Sequence, residues 1–383
     1  MKFKKTDHWT NKQNQEGLLF FSQIIDESLF DYSLDSYKPQ ALNTRLLCIE
    51  ALQTISHIDN GLIKKPNLRS IIEELKWSLQ SDLAAKFILD DKYEHYISRL
   101  NIHSNTNNLK NVIELLYEHL NERNYLETIK NLLIDKIPDA REKEDIYSLT
   151  HVLLTELINY GYSPGYIYYF NNKFFFNRNS KVSDTDPSNF FNNFSFKGKK
   201  FKVIYKGDKL FTEFSEFAKD FKIEFVEEKS GLKGIKSNGF IKSKKKNEVF
   251  IICNEVESLD EVSARLESEL PITKIANLFT FYHHENRPLI SDKALIINEN
   301  DGSKIVLEKP LKSIIKKQDV KPLTAVAKVK KLFDSLDLPK ETIFRISRAV
   351  DLHSVALETN EIDNKLLSLW TAIETLIQKD VSS

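Results

Sequence analysis

The chain has 383 residues, 55 of them basic and 55 acidic, so no net field draws it to nucleic acid or to a membrane surface, and any such contact has to come from a local patch. Its two cysteines, Cys48 and Cys253, argue against a disulfide framework, and neither belongs to a Cys-x-x-Cys pair of the kind that holds zinc. There is no apolar run of about 18 residues, and the opening MKFKKTDHWT lacks a signal-peptide core, so a cytoplasmic protein without membrane contact is expected.

Residues 15–175 read as helices joined by short polar links. In GLLFFSQIIDESLF, residues Leu18, Phe21, Ile24, Ile25 and Leu29 share one face; ALNTRLLCIEALQTI repeats this with Leu42, Leu46, Ile49 and Leu52. Pro66 precedes one long predicted helix through Ile71, Leu75, Leu79, Leu83 and Phe87. LKNVIELLYEHL and YLETIKNLLIDKI give a helix pair. EDIYSLTHVLLTELINYGY stops at Gly161, and Ser163-Pro164-Gly165 follows as a turn. The rings crowded between Tyr160 and Phe176 read as interdomain core, with base stacking as the alternative.

Beyond Asn172 the pattern changes. SDTDPSNFFNNFSF reads as a loop and short helix, KFKVIYKG as a strand, LFTEFSEFAKDF as a helix, and KIEFVEE and NEVFIICNEV as strands. SLDEVSARLESELPITKIANLFTFYHH is a helix that Pro271 should break or kink, because proline removes a donor and crowds the preceding turn. ALIINEN and KIVLEKP form a hairpin around Asp301-Gly302. This order predicts a small α+β domain.

Between two of these strands lies a basic segment, Lys229, Lys233, Lys236, Lys242, Lys244, Lys245 and Lys246, with no acidic residue inside it. It is read either as a loop gripping a phosphate backbone or as a solvated tip whose lysines discourage edge pairing. His283 and His284 are adjacent, so they do not share a helix face; they read as residues suited to the negative end of a helix rather than as metal ligands. No metal or other cofactor is expected. GxSxG, HExxH, P-loop and GxGxxG patterns are absent from the sequence.

The last stretch, ETIFRISRAVDLHSVALETNEIDNKLLSLWTAIETLIQK, holds two apolar stripes. Ile343, Ile346, Val350, His353 and Leu357 form the first; Ile362, Leu366, Leu369, Trp370, Ile373, Leu376 and Ile377 form the second. With Asn360 placed to cap the second helix, the pair predicts an antiparallel helical hairpin. On this reading His353 is a core histidine, and Glu374, four residues after Trp370, sits either in a buried network or at a solvated edge.

The run Trp370, Ala372, Ile373, Glu374, Leu376 resembles the opening helices of the HEPN superfamily, nearest its Apea-like branch, where Trp-x-Ala-hydrophobic-Glu-x-Leu is common. The segment Glu156 to Phe176 is similar to one found upstream in large proteins with such a domain. The resemblance implies a helical bundle that dimerises and, in active members, metal-independent RNA cleavage in antiphage or toxin systems. There an Arg-x4-6-His pair acts: the histidine moves a proton during attack of the ribose 2′-hydroxyl and the arginine stabilises phosphorane charge. That pair usually lies in a later helix, so the chain is read as truncated or as lacking the catalytic half. Within it, Arg348 and His353 satisfy Arg-x4-His, although five helical steps put them about 140° apart.

The expected fold is therefore α+β and predominantly α. It comprises a helical domain over 1–175, an α+β domain over 176–320 and the start of a HEPN-like domain over 321–383. The expected function is antiphage defence or toxin-like RNA cleavage. The alternatives are a non-enzymatic interaction or dimerisation scaffold, or a nucleic-acid-binding module using Lys233, Lys236, Lys242, Lys244, Lys245 and Lys246. The expected partners are RNA and a second copy or another protein bound through the terminal helices.

Overall fold

Residues 6–9, 15–29, 38–101, 106–139, 141–177, 186–195, 197–228, 232, 239–283, 287–308, 340–359 and 362–377 are described by the structure, a computed structural model. The chain divides into two units, Lys2–Lys312 and Ser313–Ser383, and the fold is α+β with helix predominant. Among the described residues no helix is long and apolar enough to cross a membrane.

The first unit opens with α1 (Gln15–Ser28), which buries Leu18, Phe21, Ile24 and Ile25 as its periodicity predicts. Gly17 lies against the end of a later helix: a Cβ there would stand 2.0 Å from the Ile137 carbonyl oxygen, so any larger residue forces the two apart. In α2 (Thr44–Asp59) the buried line is Thr44, Leu47, Cys48, Ala51 and Ile55, not the predicted Leu42–Leu46–Ile49–Leu52 line. The rotation brings Thr44 and Arg45 inward, to polar partners described below.

The single helix expected after Pro66 is two, α3 (Asn67–Ser81) and α4 (Leu83–Leu89). Asp82 between them leaves helical geometry, with ψ at 103°, and its Oδ1 accepts the Ala85 N–H at 3.0 Å, capping α4. Phe87 is left exposed as a result. The array continues through α5 (Tyr93–Arg99), α6 (Thr106–His119), α7 (Glu122–Lys136) and α8 (Lys143–Tyr160). Gly161 ends α8 at φ 118°, as read from the sequence. The next residues start a helix instead of a turn: Ser163 Oγ accepts the Gly165 N–H at 3.1 Å and Pro164 opens α9 (Pro164–Phe175). The short α10 (Asp186–Phe191) brings in Phe190, around which the rings of Phe21, Phe170, Phe174, Phe175, Phe191 and Phe194 lie at 5.0–5.9 Å. Most of the aromatic run is thus core.

The sheet follows: β1 (Lys199–Asp208), a 3₁₀ turn and α11 (Ser215–Lys219), β2 (Ile223–Val226), α12 (Gly239–Lys242), β3 (Glu248–Ser258), α13 (Glu261–His283), β4 (Ile290–Asn298) and β5 (Lys304–Glu308). The strand order is β2-β3-β1-β4-β5, antiparallel throughout. Through β4 this is a split β-α-β arrangement, with β5 added as a hairpin. Gly302 turns that hairpin at φ 72°, at the predicted place. One face packs Phe201, Val203, Tyr205, Ile251 and Ile296 against Ala264, Ile272 and Ile275 of α13. Of the expected break or kink, the break is absent: α13 is one continuous helix of 23 residues with Pro271 inside it. Burial of the flanking Ser268, Ile272, Ile275 and Ala276 offsets the hydrogen bond that proline removes.

Helical array and sheet meet at Asp260, which is fully buried. Its Oδ1 accepts the N–H groups of Val262 and Ser263, both at 2.8 Å, capping α13. Its Oδ2 accepts the Ser163 N–H at 2.9 Å, at the start of α9. The Ser263 hydroxyl lies 2.9 Å from Oδ2 and 3.1 Å from the Gly161 carbonyl oxygen. One carboxylate therefore satisfies orphan donors of two helix N-termini from different parts of the unit.

The second unit is described as two helices, α14 (Lys340–Glu358) and α15 (Ile362–Ile377), packed on one another and separated by three residues, so the chain direction reverses between them.

Candidate functional site

The α14–α15 hairpin packs through small and polar side chains. In α14 the shielded positions are Thr342, Arg345, Ile346, Ala349, Leu352 and Ala356; in α15 they are Ser368, Leu369, Thr371, Ala372 and Thr375. Alanines and threonines let the two backbones approach closely, and Thr371 and Thr375 satisfy their hydroxyls on the carbonyls of Leu367 and Thr371 at 2.8 and 2.7 Å. The predicted stripes are not this seam. That of α14 is rotated by about a quarter turn from it, and Leu366, Trp370, Ile373 and Ile377 of α15 point almost directly away.

The result is a hairpin whose largest apolar groups face outward. Ile343, Phe344, Val350 and Val355 of α14 and Leu366, Leu367, Trp370, Ile373, Leu376 and Ile377 of α15 are each between 36% and 70% exposed. These groups do not form one patch: the α15 stripe Leu366–Trp370–Ile373–Ile377 is a face of its own, on the order of 400 Å² at roughly 100 Å² per side chain.

The four residues singled out here sit as follows. The Trp370 indole N–H donates to Glu374 Oε1 at 2.7 Å, in a solvent-facing pair, so Glu374 is an edge residue and belongs to no buried network. His353 is exposed, which corrects its reading as a core histidine; the seam passes beside it, through Ile346, Ala349 and Leu352. Arg348 is also exposed. By helical angle the two flank the seam on opposite sides, so one hairpin does not bring them together.

Of the basic segment, Lys229, Lys233 and Lys236 lie outside the described residues. Lys242, Lys245 and Lys246 are exposed and Lys244 is half-buried, on and after α12. Phe240, Ile241 and Leu232 of this segment pack on the sheet face opposite α13, over Ile204, Phe250, Ile252, Leu295 and Ile297. The segment is thus anchored to the sheet at its apolar residues. His283 stacks on Phe279 at 4.5 Å and approaches Glu213 at 3.2 Å; His284 lies outside the described residues. Among the described residues no group of three or more histidines, cysteines or acids could hold a metal ion. Both cysteines are buried thiols, and burial raises both, Cys253 to about 12.

Sequence reasoning missed a buried cluster of titratable and polar groups inside the helical array. Arg45 Nη2 and Glu156 Oε2 are 2.9 Å apart, and Asn43 donates to Glu156 Oε1 at 2.7 Å. Thr44 and Ser78 hydroxyls meet at 3.0 Å, and Tyr125 donates its hydroxyl proton to Asp82. Burial holds the Asp82 carboxyl above the usual range despite the hydroxyls beside it, and burial together with Asp82 pushes Tyr125 well up. The cluster ties α2, α3, α7 and α8 and is closed to solvent; it is a brace. Its signal in the sequence was Thr44-Arg45 on a helix otherwise built for the core.

No protein family, curated protein or solved structure matches this chain.

Proposed function

We propose that the 340–377 hairpin is a self-association element, in keeping with its resemblance to HEPN helices, and that the chain works as an assembled copy of itself. The outward stripe Leu366–Trp370–Ile373–Ile377 carries this reading, because a contiguous apolar helix face of this kind, with a tryptophan at its centre, is what marks a protein–protein contact. Two hairpins meeting along these stripes would pack one α15 against the other and bury both stripes. Light scattering of the full chain should show a concentration-dependent dimer. Because Trp370 is exposed, Trp370→Glu should leave each hairpin folded while weakening association at least about thirty-fold, the loss of a buried aromatic anchor. A wild-type chain that stays monomeric sinks the reading.

The second reading is RNA cleavage for antiphage defence or toxicity. Arg348 and His353 support it by being exposed, and their placement on opposite flanks of one seam ties it to the first reading. For both to act on one phosphate, one hairpin would supply the arginine and its partner the histidine. The histidine would take the 2′-hydroxyl proton and the guanidinium would stabilise the phosphorane. Incubation with single-stranded RNA and a metal chelator should give cleavage that either Arg348→Ala or His353→Ala abolishes. Mixing the two variants should restore part of it. Cleavage that survives in the double variant removes these residues from the chemistry.

A further inference from the structure

On β1, Phe201, Val203 and Tyr205 enter the core under α13, so Lys202, Ile204 and Lys206 face the other way. The register then places Lys202 beside Ile297 and that beside Lys304, and Ile204 beside Leu295 and that beside Val306. Lys293 lies two residues before Leu295, on the same side. An apolar row therefore crosses three strands with lysines on both sides of it. The α12 segment covers the inner end of this row, and Val306 at the outer end is 43% exposed.

Two of the lysines are held in place. Lys206 Nζ stands 4.9 Å from the Phe240 ring and 3.0 Å from Ser243 Oγ, and Lys244 Nζ stands 5.8 Å from the Phe250 ring. Opposing charge is modest. Glu299 lies 3.6 Å from Lys202 in a half-buried pair and Glu308 lies 3.4 Å from Lys293 in a solvent-facing one, and Glu224 and Glu248 share the face by strand alternation, so the acids are fewer than the lysines. In a chain with equal numbers of acids and bases, this face is a local excess of positive charge built from three strands and one turn.

We propose that this face of the sheet binds the phosphodiester backbone of single-stranded nucleic acid. The lysines supply the counter-charge, and the open end of the apolar row gives an unpaired base a surface to lie on. A single strand fits better than a duplex, because among the described residues the face presents a shallow sheet with a four-residue helix and no element long enough to enter a groove. The site extends the lysine segment read from the sequence and does not depend on self-association.

The test is fluorescence anisotropy of the full chain with a labelled single-stranded oligouridine of about 16 nucleotides, the upper range for one such site. With four phosphate contacts, affinity should fall about fifty-fold between 50 and 200 mM salt. The quadruple variant Lys202→Gln, Lys206→Gln, Lys293→Gln, Lys304→Gln should bind at least about ten-fold more weakly and show a flatter salt response. Arginine at the same four positions should keep the binding, which separates lost charge from lost fold. A control with glutamine at Lys64, Lys65, Lys76 and Lys86, on the helical array, should bind like the wild type. Equal loss in both glutamine variants, binding indifferent to salt, binding to anionic vesicles but not to the oligomer, or no binding at low salt each overturns the proposal.

Discussion

Glu156→Ala will lower the stability of the Lys2–Lys312 unit by about 3–5 kcal/mol, the range for breaking a buried ion pair by removing one partner. Arg45 is 5% exposed, so losing this carboxylate removes the counter-charge its guanidinium meets through two nitrogens in the core beside Cys48. Asn43 loses a partner as well, and with it part of the start of α2. The double change Arg45→Met, Glu156→Leu should recover most of that loss, because two apolar groups of similar volume need no counter-charge. Urea unfolding followed by circular dichroism measures both. A single-variant loss below about 1 kcal/mol would show that the pair is solvated and that the brace does not exist.

Asp260→Ala comes next, with an expected cost of about 3 kcal/mol: a lost helix cap, plus the Ser163 N–H left buried without its acceptor. The damage should be local. Amide exchange should speed up at Ser163, Val262 and Ser263 ahead of the rest of the unit, and uniform acceleration would contradict the joint described here. The pH dependence has a definite sign. Burial lifts Asp260 above the ordinary carboxylate value, against the hydrogen bonds it accepts. A carboxyl raised on folding gives its full contribution below its unfolded pKa and loses part of it as pH rises through the folded one. The deficit of the alanine variant is therefore larger in acid than at neutral pH.

Much of this was legible in the sequence, and the failures share a cause. Periodicity located α1, α6, α7 and α8, each of which buries an apolar line, and every described strand, because the strands are short apolar runs bounded by polar turns. It misplaced the inward face of α2, where a polar network outweighs the apolar line, and it joined α3 to α4 across an aspartate that caps instead of continuing. Pro271 did not end α13, since packing on the sheet exceeds the local cost. In the hairpin the apolar stripes were identified, but alternation cannot say what a stripe faces; Ala349, Ala356 and Ala372, the residues that make the seam, are too small to stand out. Lys202, Lys206, Lys293 and Lys304 are separated by up to about a hundred positions, so only strand register brings them together.

The position of α1 bears on how the chain is made. Phe21 packs on Phe190, Asn171 donates to the Ser22 carbonyl, and the notch at Gly17 receives Ile137, all more than a hundred residues downstream. At about 5–20 residues per second, roughly 10–30 s of translation separate the appearance of α1 from that of its last partner. Until α8 and α9 have emerged, α1 lacks the helices it packs on, which makes the first helix a natural client for a ribosome-associated chaperone.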